Sequence, residues 1–258
     1  DYAEGRSADQ DVSRLSGLAG RYALAHRHER RSQYRDRCAR ERIAGAGVPL
    51  GNSLPLIRWN AQKTYLRELK ARGVPIVPSQ WGEGLTVESV STLAAGFQGE
   101  WVLKPVVSAN AQDTFRLPGA VHAATAQQLV ETFSRRAWVA QPMVQSVLTE
   151  GETSVFFFNG VISHAIEKRP AAGDFRVQEE HGGRITATPL TPELRAVSAR
   201  VMQALTEVPL QARVDLVRLT DGTWALMELE AIEPSLYFRT DPKAASNFAD
   251  AVETWLSR

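Results

Sequence analysis

The chain has 258 residues, 43% hydrophobic and 23% charged, with a formal net charge of +1 at pH 7. That length supports one large or two ordinary domains with a sizeable core, and that charge gives no case for nucleic acid. No run approaches the length of a membrane span, no signal-peptide pattern is present, and the single cysteine, Cys38, excludes an intrachain disulfide and fits a cytoplasmic setting.

Residues 1–46 carry ten arginines against seven acids, whereas 47–258 carry twenty bases against twenty-two acids. One weak helical stripe (Val12, Leu15, Ala19, Tyr22) precedes "HRHERRSQYRDRCARER", which offers almost nothing to bury. The segment reads as a poorly packed or helical appendage, a solvated basic stretch rather than an RNA-binding arm. It starts at Asp1 rather than Met, which leaves room for an upstream part.

From Pro49 the punctuation becomes regular. "WNAQKTYLRELKARGVPIVP" predicts a helix from about Asn60 to Arg72, stopped by Gly73, then a short extended run. "VESVSTLAAGF" is a helix, "EWVLKPVV" a strand, "SANAQDTFRL" a small-residue loop leading into a strand, "TAQQLVETFSRR" a helix and "AWVAQPMV" a buried strand. "ETSVFFFNGVISHAIEKRP" is a hairpin turning at Asn159-Gly160, and "TPELRAVSARVMQAL" a helix capped by Thr191. A second hairpin follows in "ARVDLVRLTDGTWALMELEAIEP", then a terminal helix, "DPKAASNFADAVETWL". Antiparallel strands interleaved with helices argue an α+β fold rather than a doubly wound sheet.

The second hairpin carries charge where a buried strand should not. With Asp221-Gly222 as a two-residue type I′ turn, Asp215 opposes Glu228 and Arg213 opposes Glu230. The period of two puts these four on one face, flanked by Leu226 and Val217, and Val214, Leu216, Met227 and Leu229 on the other. Three carboxylates so close repel unless a divalent cation or the arginine compensates; oxygen-only ligands suit Mg²⁺ or Mn²⁺ bridging to phosphates. The bland alternative is a surface hairpin laced by salt bridges.

Lysine is scarce, five against twenty-five arginines. In so Arg-rich a chain, lysine is expected where a compact point charge is needed, as it is against phosphate. Lys104 ends the apolar strand "WVLKP" and Lys168 ends "AIEKRP"; strand-end snorkelling is the alternative for each.

The order of "NAQK", "VLKP", "AQPMV", "EGETSV", "AIEKRPAAGDFRVQEEHGG", "RVDLV" and "LMELEAIEP" resembles the ATP-grasp superfamily, in its bacterial glutathione-synthetase-like branch. Within that branch it is most similar to the cyclo-ligase group of cycloserine biosynthesis. The resemblance implies two α/β subdomains with antiparallel sheets sandwiching ATP, at 47–140 and 141–258, with 1–46 as an atypical remnant of the family's N-terminal domain. It implies an ATP- and Mg²⁺-dependent carboxylate–amine ligase forming an acylphosphate from a small, amino-acid-like carboxylate. Lys63 and Lys104 would contact ATP phosphates, Lys104 lying also near the adenine, and Ser108–Thr114 would cover the phosphates. Gln141, Pro142, Met143 and Val144 would form the adenine hinge, and Glu152 would bind the ribose. Lys168 and Arg176 would face the γ-phosphate and substrate carboxylate. Asp215, Glu228 and Glu230 would bind Mg²⁺, and Arg213 would steady a tetrahedral intermediate.

Three departures from the family pattern stand out. Ala109, Asn110 and Ala111 replace common loop glycines, Glu230 replaces an Asn, and the N-terminal domain is missing. The last leads us to expect a chain that binds ATP but turns over poorly; the other readings are a nucleotide-binding module or a ligase that adds amino acids to a protein terminus. His26, His28 and His122 read as solvated, His164 as a satisfied strand residue and His181 as the histidine to test. Trp59, Trp101, Trp138 and Trp255 read as core.

Overall fold

A computed structural model describes residues 45–47, 49–108 and 111–257. The Arg-rich segment with Cys38, His26 and His28, and the loop residues Ala109 and Asn110, lie outside the described residues.

Helix α1 (Leu54–Asn60) starts at Ser53, whose Oγ accepts from the Leu56 N–H. The single helix expected to run on to Arg72 is instead broken: residues 61–64 are turns, and α2 (Tyr65–Ala71) starts afresh. A helical pattern in sequence loses here to a tertiary bond, because the Lys63 N–H donates to Val106 O at 2.9 Å, outside any helix. Gly73, at φ +86°, ends the element as expected.

The smaller sheet orders β1 (Gln80–Glu83), β4 (Ala137–Pro142), β2 (Trp101–Pro105) and β3 (Phe115–Leu117), with every pair antiparallel. Helices α3 (Val87–Ala95) and α4 (Ala123–Phe133) cover it, packing Val90, Leu93, Leu129 and Phe133 onto Trp101 and Leu103. Thr86 opens α3 with a reciprocal capping box to Ser89.

A short helix, α5 (Ser146–Thr149), leads into the larger sheet. Its order is β7 (Arg184–Ala187), β6 (Val161–Arg169), β5 (Glu152–Phe158), β8 (Gln211–Arg218) and β9 (Trp224–Glu230), again antiparallel throughout. One face packs Val155, Phe157, Val214, Leu216 and Leu229 against α2 and against α6 (Pro192–Gln203), which Thr191 caps. On the other face, Phe156, Phe158 and Ile166 meet α7 (Ala244–Leu256) through Phe248 and Val252. That face turns charged where Asp215 and Arg213 emerge beyond the helix.

The β5–β6 turn at Asn159-Gly160 has φ of +48° and +80°, as a type I′ loop requires. The β8–β9 turn corrects the expectation. Leu219 N–H donates to Thr223 O, so the loop has three residues, Thr220 to Gly222, with Gly222 at φ +81°. Arg213 still pairs Glu230 and Asp215 pairs Glu228, because a bulge leaves Met227 unmatched between the pairs Asp215–Glu228 and Leu216–Leu226. Leu226 therefore lies in the α2–α6 core, and Met227 turns toward the charged side.

Candidate active site

One cleft of about 750 Å³ gathers every residue that the resemblance assigned to nucleotide, metal or catalysis by name: Lys63, Lys104, Ser108, Gln141, Pro142, Met143, Val144, Glu152, Lys168, Arg176, Arg213, Asp215, Glu228 and Glu230. Lys104 comes from the end of β2 and Gln141 and Pro142 from the end of β4, all on the smaller sheet. The carboxylates come from β5, β8 and β9 of the larger one. Val102, Met143, Val144, Val147, Phe175, Val177 and Met227 give one part of the cleft an apolar lining. Gln141 Nε2 donates to Ser79 Oγ at 2.9 Å, and Met143 N–H donates to Glu100 O at 2.9 Å, fixing the crossing chain.

The charged half is a ladder of ion pairs. Asp215, 2% exposed, accepts from Arg213 Nε at 2.9 Å and Ser154 Oγ at 2.6 Å, with Lys168 Nζ at 3.4 Å. Burial alone would raise its pKa, but Arg213 and Lys168 hold the carboxyl well below the usual range. Lys168 also pairs with Glu152, and Arg213 with Glu230. Lys63 Nζ lies 3.0 Å from Glu228 and donates to Ser108 O at 3.2 Å. Burial pushes Glu230 up to about 7, with Asp215 and Glu228 adding and Arg213 opposing.

Glu152, expected to bind ribose, sits in this ladder against Lys168. Arg176 lines the cleft while its guanidinium forks onto Asp174, at 3.0 Å (Nε to Oδ1) and 2.7 Å (Nη2 to Oδ2). In the loop between β2 and β3, Ala111 and Asp113 both take φ +53° without being glycine, and Asp113 pairs with Arg136 at 2.7 Å. His164 stacks on Phe156 and its Nε2 lies 3.0 Å from Leu236 O, a satisfied strand histidine as expected. His181, in the turn Glu179–His181, does not line the cleft, and His122 is exposed. Trp101 and Trp138 are core, and Trp59 and Trp255 pack partly buried against it. Phe175 and Val177 were missed, although they stand inside the quoted "GDFRVQ"; Met227 was missed because only the bulge turns it inward.

Lys104 differs from the other cations. It is 9% exposed, its one hydrogen-bond partner is Met227 Sδ at 3.9 Å, and it makes no ion pair among the described residues. Burial drives its pKa down to about 8. A buried ammonium without an anion is a site for one. A bound phosphate favours the charged form and lifts this pKa, so affinity is fully present below about 8 and falls above it. ATP affinity should weaken by up to about tenfold per pH unit between pH 8 and 9.5. Calorimetry across that range measures it, and Lys104→Met should flatten the profile.

The sequence model of the prokaryotic glutathione synthetase ATP-grasp domain matches residues 85–216. The chain belongs to the ATP-grasp family. It is 33% identical over 211 residues to the cycloserine biosynthesis protein DcsG of Streptomyces lavendulae, covering 77% of this chain and 71% of that protein. It is 29% identical over 110 residues to the glutathione synthetase of Bradyrhizobium diazoefficiens, covering 42% and 35%. The crystal structure of D-cycloserine synthetase DcsG superposes with a TM-score of 0.79 at 25% identity, over 97% of this chain and 96% of that one. The D-alanine–D-alanine ligase of Bacillus anthracis shares the fold at a TM-score of 0.61 and 18% identity, over 85% and 74%.

As an ATP-grasp enzyme the chain is an ATP-dependent ligase, and enzymes of this family use ATP and Mg²⁺. The residues present fit both. Lys104 offers an uncommitted buried cation, and the carboxylates offer oxygen-only donors. Among the described residues no three acidic, His or Cys side chains converge as a metal cage, but Mg²⁺ is ordinarily held by one or two carboxylates plus phosphate oxygens. No described helix is long and apolar enough to cross a membrane.

The loop between β6 and β7 carries Phe175 to Gln178 into the cleft, and Gly183 closes it. A Cβ there would fall 2.1 Å from Val177 O, a backbone atom. Gly183→Ala should therefore cost more than about 1 kcal/mol and weaken nucleotide binding, as thermal melts with and without Mg²⁺·ATP would register.

Proposed function

We propose that the chain is a carboxylate–amine ligase that activates a small amino-acid-like carboxylate as an acylphosphate and closes it on a nitrogen of the same molecule, as in cycloserine formation. The observation that carries this reading is the cleft itself: Lys104 of the smaller sheet lines it together with Glu152, Asp215, Glu228 and Glu230 of the larger one, which Lys63, Lys168 and Arg213 pair. The similarity to DcsG along most of both chains supports ring closure over joining two molecules.

A substrate carboxylate oxygen attacks the γ-phosphorus, the bond to the β-phosphate oxygen breaks, and ADP leaves. The nitrogen then attacks the acyl carbon, the carbon–oxygen bond to phosphate breaks, and phosphate departs with the amine proton. Lys63 and Lys104 hold the phosphates, while Lys168 and Arg176 orient the transferred group and the substrate carboxylate. Arg213 faces the oxygen that becomes negative in the second step, where a fixed cation counts most. Asp215, Glu228 and Glu230 would supply the one or two carboxylates that hold the divalent cation, which would neutralise phosphate charge when bound. The remaining requirement is alignment, worth roughly 7–11 kcal/mol when both partners are held in register.

Hydroxylamine trapping tests the first step and its substrate. With ATP and amino-acid-like carboxylates bearing an internal nitrogen, a hydroxamate should form at the expense of the cyclic product. ADP release without hydroxamate across a broad acid panel would replace the ligase reading with a kinase.

A further inference from the structure

Strand β9 carries Glu228 and Glu230 and is the edge of the larger sheet, so nothing in the sheet satisfies its outer backbone groups. Side chains do so instead. Leu229 N–H donates to Tyr65 Oη at 2.9 Å, Asn60 Nδ2 donates to Leu229 O at 2.8 Å, and Ala231 N–H donates to Asn60 Oδ1 at 2.8 Å. One step further out, Asn52 Nδ2 donates to Ala231 O at 2.6 Å. Toward the other end, Leu226 exchanges main-chain bonds with Pro75 and Val77.

Asn60 thus grips the peptide units on both sides of Glu230, and Tyr65 grips the one that joins Glu228 to Leu229. Between them in sequence stands Lys63, whose N–H is tied to Val106 O beyond β2 and whose ammonium pairs with Glu228. Asn60 is 8% exposed, and both polar atoms of its amide are committed to backbone. We infer that Asn60 is a positioning residue for the divalent cation: it acts through the backbone of β9 to fix the carboxylates of Glu228 and Glu230, and with Tyr65 it locks them in register with Lys63. The helix break at 61–64 is what lets one short segment reach both sheets.

This inference rests on the proposed role of the β9 carboxylates. Its test uses Mn²⁺ as the probe, titrated into the full chain with saturating ADP and read as the free-ion electron paramagnetic resonance signal. Asn60→Ala should lower Mn²⁺ affinity by about 10–100-fold, as loss of a ligand's supporting group does, while metal-free ADP binding stays within about twofold. Asn52→Ala breaks an edge bond at the next peptide together with the bonds Asn52 makes to Gln211 O and the Leu210 N–H. None of these is at a peptide flanking Glu228 or Glu230, so it should lower the melting temperature at least as much and leave Mn²⁺ affinity within about twofold. Unchanged Mn²⁺ affinity in Asn60→Ala, or an equal loss in both variants, overturns the inference. Should Asn60→Ala fail to fold, Tyr65→Phe decides in its place: a several-fold loss supports it and no loss overturns it. A wild-type chain that takes up no Mn²⁺ with ADP would sink the reading of the site, and the inference with it.

Discussion

Asp215→Asn is expected to abolish ligation and to destabilise the fold by about 3–5 kcal/mol, as removing one partner from a buried ion-pair network does. From the sequence, three opposed carboxylates also predict lost turnover but with the fold intact, since deleting one should relieve repulsion. The structure adds a stability cost because Asp215 is packed between Arg213 and Lys168 and receives the Ser154 hydroxyl. Its neutral replacement takes one of two carboxylates from each of two buried cations, leaving Lys168 with Glu152 alone and Arg213 with Glu230 alone. The same pairing sets the wild-type response to acid. A carboxyl held below its unfolded value contributes stability that is full above about pH 4 and is lost as pH falls through the lower, folded value. Asp215→Asn should lack that contribution, so its melting temperature should fall less than wild type's between pH 5 and 3. Thermal melts across pH, beside ADP-release assays, measure both effects; a variant as stable as wild type would show the network to be ornamental.

How much of this was legible beforehand is clearest at the β8–β9 hairpin. Alternation put Arg213 and Asp215 on one face, and Val214 and Leu216 on the other; both placements hold. The cross-strand pairs were also right, but through two compensating departures. The loop is one residue longer than Asp221-Gly222 suggests, and the bulge at Met227 takes the slip back. Local turn chemistry cannot reveal a bulge stabilised by the outer edge of β9, where Leu226 bonds to Pro75 and Val77.

The site residues were legible because their types are costly where they stand: a lysine ending an apolar strand or an aspartate between valine and leucine needs a reason to be buried. Their partnerships were not. The Asn159-Gly160 turn would set Glu152 opposite Glu167, and only a bulge between Val155 and Phe157 brings it to Lys168; nothing in sequence spacing says that Arg176 forks onto Asp174 or that Asn60 closes a sheet edge. The Asn60 contact joins segments far apart in the chain, and Asp174–Arg176 depends on the turn at Ala171–Asp174.

Glu228→Gln should do something no stability effect imitates: it should bind metal-free ATP about tenfold more tightly than wild type while losing turnover. Lys63 is spoken for, its ammonium 3.0 Å from Glu228. A triphosphate arriving without metal must take Lys63 from that carboxylate and leave Glu228 unpaired near Asp215, whose charge already opposes it. The full Coulomb cost of such a separation is a few kcal/mol at an effective dielectric near 20, but Glu228 is about one-third exposed and water screens much of it. What survives is on the order of 1.4 kcal/mol, or tenfold. When Mg²⁺ accompanies ATP, the freed carboxylate has a cation to hold and the penalty vanishes, so wild-type affinity should rise steeply with Mg²⁺. The amide variant has no carboxylate to strand and none to offer the metal, so its affinity should be nearly flat in Mg²⁺. Because the Lys63–Glu228 pair is partly exposed, the melting temperature should move little, in contrast to Asp215→Asn. Calorimetry with ATP in EDTA, repeated over a Mg²⁺ series, reads both arms. If Glu228→Gln bound metal-free ATP no better than wild type and kept its full Mg²⁺ dependence, Glu228 would be neither the partner Lys63 must leave nor a ligand of the cation.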